Sequence, residues 1–239
     1  MRYWAQCGDF FRECRRHFRN TGAILPSSRF LARALVAQVR KPHRPSRILE
    51  VGPGTGSVTK EILRFLQPGD QLDAVEINGH FVNLLQRRLD SEWAYHPRHH
   101  QVHLIHAAVE DLPGEGVYDY IVSGLPLNNF PVSQVRKIFR AYNRLLKPGG
   151  TLTYYEYVFI RQLKTPFSNR RERRRLHGIS RVVSGYIRDY QVKRERIFIN
   201  VPPATVRHLR FQPGSRSAGN PDRRPRLQEA GKLTPSIVH

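Results

Sequence analysis

Apolar and polar positions change rhythm several times along this chain. Residues 3–19, "YWAQCGDFFRECRRHFR", place Trp4, Cys7, Phe11, Cys14 and Phe18 at steps of three and four. That spacing predicts a helix, and because Arg12, Arg15, Arg16 and Arg19 fall largely off the stripe, the helix is basic and amphipathic. "GAILPSSRFLARALVAQV" predicts a second helix, capped by Ser27 or Ser28 and running to about Val39. "RKPHRPSR" is a turn-rich connector. From Arg47 onward, short apolar strands alternate with amphipathic helices, the pattern of a largely parallel sheet covered on both faces. The strands read as 47–51, 71–76, 101–106, 117–123 and 150–159, and the helices as 57–67, 79–90 and 132–147, the last ended by "LKPGG". "NRRERRRLHG" reads as a solvated helix or loop, and "YQVKRERIFIN" with "ATVRHLRF" as a closing hairpin. Past residue 211, Pro, Gly, Ser and Arg displace apolar residues, which predicts a disordered tail over 212–239. The expected organisation is a helical extension over 1–46, an α/β domain over 47–211 and that tail.

Composition narrows the picture. At 239 residues and 39% hydrophobic content there is material for one well-buried domain. No window approaches the roughly 18 consecutive apolar residues of a membrane span, and the N-terminus lacks a signal-type apolar core, so neither a spanning nor a secreted protein is expected. Cys7 and Cys14, if helical, stand about 10 Å apart along the axis, too far for a disulfide. A reducing, cytoplasmic compartment follows as the expectation. The formal charge of +21 is unevenly placed. Residues 1–47 carry +9, residues 161–196 carry +9, and residues 48–160 between them carry −2. The positive field therefore belongs to the segments flanking a near-neutral domain.

The chemistry-bearing motif is "RILEVGPGTGSVTKEIL", a strand, a glycine turn and a helix. Gly52, Gly54 and Gly56 allow a sharp turn and a close ligand approach at a helix N-terminus. A dinucleotide fingerprint would place its third glycine where Ser57 stands. The segment instead resembles the Glu-x-Gly-x-Gly-x-Gly loop of class I S-adenosylmethionine-dependent methyltransferases, which implies a Rossmann-like, seven-stranded sheet with helices on both faces. Glu76 ends the next strand, twenty residues beyond Gly56, where a carboxylate accepts both hydroxyls of a ribose. The resemblance implies donor contacts from Glu50, Gly52, Gly54, Thr55, Gly56, Glu76 and Ile77, with Ala108 and Val109 beside the adenine. Ala108 departs from the acid usual there, and Glu110 or Asp111 offers an acceptor to the adenine amine or else caps the following turn.

A strand leads directly into "SGLPLNNFP", so Ser123, Gly124, Leu125, Pro126 and Asn128 form the expected acceptor edge, where Asn128 and Asn129 orient an amine or shape the turn. An enzyme methylating an adenine holds a flat base with an Asn or Asp and an aromatic ring. Here Gly124 has no side chain to bond the amine and Leu127 has no ring to stack, which counts against the ribosomal RNA adenine dimethyltransferases, the alternative family. "GAILPSSRFLARAL", "ILEVGPGTGSVT", "VEIN" and "VSGLPLNNFP" together resemble the bacterial phospholipid N-methyltransferases over about residues 10–211. That resemblance implies methyl transfer from S-adenosylmethionine to phosphatidylethanolamine and its methylated intermediates, toward phosphatidylcholine. It also implies a protein bound peripherally at the inner face of the cytoplasmic membrane, with the helix at 3–19 as its anchor. Tyr154, Tyr155, Tyr157 and Phe159 near the active edge either stabilise the cationic product or pack the strand. The expected partners are an anionic membrane surface and the phospholipid; nucleic acid, a metal and a second subunit are not expected.

Overall fold

The computed structural model describes residues 26–39, 45–93, 96–157, 170–199 and 203–211. The expected anchor helix at 3–19, both cysteines, Phe159 and the tail from 212 lie outside these residues. Seven strands form one sheet in the order β3-β2-β1-β4-β5-β7-β6. They are β1 (Arg47–Val51), β2 (Gln71–Glu76), β3 (Val102–His106), β4 (Tyr118–Ser123), β5 (Leu146–Tyr157), β6 (Gln191–Ile197) and β7 (Ala204–Arg210). The first five pair in parallel, and β7 enters antiparallel against β5 and β6. This is the seven-stranded arrangement that the resemblance to class I methyltransferases implied.

Strand alternation assigns side chains to two faces. One face buries Leu49, Ile121, Leu152 and Leu209 under α4 (Val132–Leu145) and α5 (Arg170–Tyr190). The other buries Ile48, Leu72, Val122 and Val206 under α1 (Pro26–Leu35), α2 (Ser57–Leu63) and α3 (Gly79–Asp90). Helix α4 is a clean amphipathic case: Val135, Ile138, Phe139, Tyr142 and Leu145 recur at helical spacing and all are buried. Phe139 sits at the centre of an aromatic group with Tyr142, Tyr154 and Tyr186, its centroid 4.7–5.8 Å from theirs. Truncating such a residue costs about 3 to 5 kcal/mol.

Several boundaries differ from the pattern reading. Helix α1 begins at Pro26, so Ser27 and Ser28 lie inside it rather than capping it, as proline's fixed φ suits a first turn. It ends at Leu35, short of Val39, and its Leu31, Ala34 and Leu35 join the domain core. Helix α2 stops at Leu63 rather than residue 67. Helix α4 stops at Leu145, and "LKPGG" opens strand β5 instead of closing the helix. Pro148 cannot continue either ladder, so the pairing jumps from Tyr118↔Leu146 to Tyr120↔Thr151 through a bulge whose Gly149 has φ 80°. Of the helix or loop offered for "NRRERRRLHG" the structure forms the helix, and from Arg170 it runs on for 21 residues as α5. Its apolar side, Leu176, Ile179, Val182, Val183, Tyr186 and Tyr190, is buried. The charged first turns obscured that stripe.

Edge strand β6 is tied to the sheet by a buried imidazole. His208 Nε2–H donates to Glu195 Oε1 at 3.0 Å, and Nδ1 accepts from the Thr153 hydroxyl at 2.9 Å. Burial lowers the His208 pKa, against the upward pull of Glu195.

Candidate active site

The strand order reverses between β1 and β4, and a ligand site opens beyond the carboxyl ends of strands at such a switch point. Two loops leave the sheet there, the glycine turn after β1 and the "GLPLNN" loop after β4. They meet backbone to backbone: Gly124 N–H donates to the Val51 carbonyl at 2.8 Å. A Cβ on Gly124 would lie 2.7 Å from the Gly52 carbonyl oxygen, and one on Gly52 would lie 2.7 Å from Leu125 Cδ2. Gly124 therefore has no room for a side chain, whereas Gly52 meets a movable leucine methyl and is held to glycine chiefly by its φ of 69°.

Each remaining glycine of the turn has its own reason. Gly56, at φ 83°, is covered by Trp93 and Leu85, whose atoms would stand 2.5 and 2.7 Å from an added Cβ. Gly54, at φ 56°, has nothing within 4 Å of its Cβ position and so faces open space where a ligand can approach the backbone. Its N–H points at the Glu76 carboxylate, donating to Oε2 at 3.2 Å, while Asn78 N–H donates to Oε1 at 2.9 Å. Ionised, a carboxylate offers about four lone-pair positions, so these backbone bonds leave capacity for a ribose hydroxyl. Glu76 is buried, and that desolvation raises its pKa against these backbone bonds. Asn78 then caps α3, its side chain accepting from His80 N–H at 3.0 Å. His106 Nε2–H donates to the Ile77 carbonyl at 3.1 Å, which fixes the residue after Glu76.

Glu50 is the second acid of the site. It is 1% exposed, and no hydrogen bond of normal geometry joins either carboxyl oxygen to a described residue. Burial pushes its pKa up to about 8, with the neighbouring Thr59 pulling the other way and the Glu76 charge adding to the rise. A buried acid with Thr59 beside it and hydrogen-bonding capacity to spare suits a ligand bearing a cationic amine. Together with the open Gly54 and the half-engaged Glu76, it makes the donor loop fit S-adenosylmethionine.

Other predicted residues are placed more modestly. Ala108 and Val109 are both buried, Ala108 leading the 3-10 turn Val109–Asp111. Of the two acids considered for the adenine, Glu110 receives the Gln134 amide from α4, whereas Asp111 is exposed. Thr55 is exposed and offers its carbonyl to Arg88. Ser123 is fully buried, so its hydroxyl shapes the loop instead of lining its surface: it sits 2.8 Å from the Tyr142 hydroxyl and accepts from Leu125 N–H at 3.3 Å. Gly124, Leu125, Pro126 and Asn128 are half-buried along that edge. Tyr154 is buried in the core against Phe139, which makes it strand packing.

Three contributors had escaped the pattern reading. Arg175 of α5 donates from one guanidinium nitrogen to the carbonyls of Asn128 and Phe130, each at 2.8 Å, and so latches the acceptor loop. Tyr142 supports Ser123 from beneath, and Trp93 seals Gly56. Tyr142 belongs to the visible stripe of α4, but nothing local marks Arg175 among its neighbouring arginines. Among the described residues no group of His, Cys, Asp and Glu is arranged to hold a metal ion.

Comparison with known proteins agrees with this geometry. Residues 48–150 match a family described as a methyltransferase domain. The ornithine lipid N-methyltransferase of Singulisphaera acidiphila is 31% identical over 166 residues, covering 64% of this chain and 82% of that protein. The ubiquinone/menaquinone biosynthesis C-methyltransferase of Vibrio cholerae is 30% identical over 112 residues, spanning 46% of this chain and 41% of that enzyme. Among solved structures, a 1,6-didemethyltoxoflavin-N1-methyltransferase of Burkholderia thailandensis, with S-adenosylhomocysteine bound, superposes with TM-score 0.58 at 18% identity over 88% of this chain and 89% of that one. The O-methyltransferase TomG of Streptomyces achromogenes, in complex with S-adenosylmethionine, gives 0.54 at 18% identity over 78% and 80%. The chain belongs to the class I S-adenosylmethionine-dependent methyltransferases. Within them it is a relative of a lipid N-methyltransferase, and S-adenosylmethionine is its cofactor.

Proposed function

We propose that this methyltransferase acts on the primary amine of phosphatidylethanolamine and on its methylated intermediates, toward phosphatidylcholine, at the inner face of the cytoplasmic membrane. The observation that carries this reading is the backbone contact between the two loops. With 2.7 Å between a Gly124 Cβ position and the Gly52 carbonyl, position 124 has no space for the Asn or Asp that would hold an adenine amine. A small, flexible alkyl amine needs no such clamp and fits a wall built of backbone and the half-buried Leu125 and Pro126. Phosphatidylethanolamine presents that amine, and the motif resemblance favours it.

Bound at the glycine turn, S-adenosylmethionine supplies an electrophilic methyl group. The chain's own residues then have three tasks. Glu76 and the open backbone at Gly54 hold the donor's polar ends, and Glu50 supplies a buried acid for its amine. Ser123, Tyr142 and Arg175 hold the acceptor loop in one shape, so the entropy of aligning the amine is met before reaction. The headgroup ammonium first gives its proton to water, and the neutral nitrogen then takes the methyl group as the carbon–sulfur bond breaks and its electron pair leaves with the thioether sulfur. Ornithine lipid is a second acceptor of the same chemical class, favoured by the 31% identical relative of that name.

The test is radiolabelled methyl transfer from S-adenosylmethionine to detergent-dispersed phosphatidylethanolamine and ornithine lipid, with structured RNA in parallel. Label is expected in phosphatidylethanolamine, and Glu76→Ala should weaken donor affinity at least about tenfold, since it removes hydrogen bonds from an ionised acceptor. Label in ornithine lipid alone would move the substrate within the class. Label in RNA alone would overturn the reading.

A further inference from the structure

Topology brings more than the two site loops to the active edge of the sheet. Tyr157, the last residue of β5, pairs with Ala204, the first of β7, and Ala204 in turn pairs with Ile197, the last of β6. The turn that follows β6 therefore lies at the carboxyl edge of the parallel strands, where the glycine turn and the acceptor loop also lie. Its first residues, Phe198 and Ile199, are 68% and 62% exposed. A protruding pair of large apolar side chains on a polar domain calls for a covering surface. Beside them Arg194 and Arg196 of β6 are exposed.

Helix α5 delivers its charged end to the same edge. Arg175 grips the acceptor loop, so the turns before it, with exposed Arg170, Arg171, Arg173 and Arg174, stand next to that loop. The opposite end of α5 runs into Gln191, at the far edge of the sheet. One face thus carries the donor turn, the acceptor loop, an apolar tip and a cluster of arginines.

We infer that this face is the membrane-docking surface, with the Phe198–Ile199 tip entering the outer layer of an anionic bilayer and the α5 arginines resting on lipid phosphates. Apolar side chains flanked by arginines are the combination that binds an interface between water and lipid. A nucleic-acid surface shares the arginines and can stack a base on Phe198, whereas the aliphatic Ile199 beside it offers no flat face and suits acyl chains. The inference rests on the lipid reading above in one respect: with the tip in the bilayer, the acceptor loop faces the layer of headgroups, so a lipid amine reaches Gly124 while its acyl chains stay in place.

Sedimentation of the full chain with vesicles of phosphatidylcholine and phosphatidylglycerol, which carry no primary amine, tests the docking independently of turnover. Phe198→Ser combined with Ile199→Ser should weaken vesicle partition about tenfold or more, and Arg171→Glu combined with Arg174→Glu should do so on anionic vesicles. On a short-chain, monomeric phosphatidylethanolamine the tip variant should turn over at the wild-type rate, which also shows that it is folded. Undiminished vesicle partition by the tip variant would overturn the inference, as would wild-type protein that binds structured RNA and ignores vesicles. Wild-type protein that partitions through the tip but methylates no aminolipid would refute the substrate reading and leave the docking surface standing.

Discussion

Gly124 and Glu50 show how single atoms decide this site. The Gly124 position is closed by a carbonyl oxygen rather than by a movable side chain, so even one added methyl must shift a loop. Gly124→Ala is expected to cost about 1 to 3 kcal/mol of stability in denaturant titrations and to cut kcat more than it raises donor Kd. For Glu50 the sign follows from the raised pKa. Between an unfolded value near 4.5 and a folded value of about 8, the native state holds a proton that the unfolded state releases. Stability is therefore greatest below the lower value and declines as pH rises toward the upper one. Glu50→Gln should flatten that decline and stabilise the ligand-free protein at alkaline pH by on the order of a few kcal/mol. Urea midpoints at pH 6 and pH 9 would check it, and equal pH slopes in both proteins would contradict it.

Among the elements, α5 does what its composition conceals. Five arginines within residues 170–175 suggest a solvated segment, yet the buried stripe from Ile179 to Tyr190 packs on α4 and closes the core. Arg175 stands where the charged part meets the buried part, and its two bonds to loop carbonyls link the helix to the acceptor wall. Arg175→Ala should lower kcat about tenfold with donor affinity unchanged, and Arg175→Lys should recover part of the loss because one ammonium cannot reproduce the planar donor geometry. Stopped-turnover kinetics beside donor titration separates the two effects; a change in donor Kd alone would refute the latch. The strands and α4 were legible in the sequence because each is long enough to display its period. The bulge at Lys147–Gly150 was not, since "LKPGG" serves equally as a helix stop and as an irregular strand opening, and only pairing with Tyr118 and Tyr120 distinguishes them.

At the scale of the molecule, charge and apolar exposure are separable forces. A formal charge of +21 draws the protein to any polyanion, whereas the exposed tip at Phe198 and Ile199 adds an apolar attraction that salt does not screen. Raising salt from about 0.1 M to about 1 M shrinks the Debye length from about 10 Å to about 3 Å. Partition onto anionic vesicles should fall over that range, and more completely in the variant lacking the tip, because its remaining attraction is wholly electrostatic. Vesicle sedimentation across a salt series measures this, and identical salt profiles for the two proteins would contradict it. The periodic pattern determined the alternating α/β domain by itself, and the glycine turn with the strand-end Glu76 carried the resemblance to class I methyltransferases, because both act locally through the backbone. Tertiary structure alone decided why Gly124 must be glycine, which arginine latches the loop, and that the β6–β7 turn shares an edge with the active site. Those facts depend on which residues distant in sequence the sheet brings into contact, and a one-dimensional pattern does not carry that.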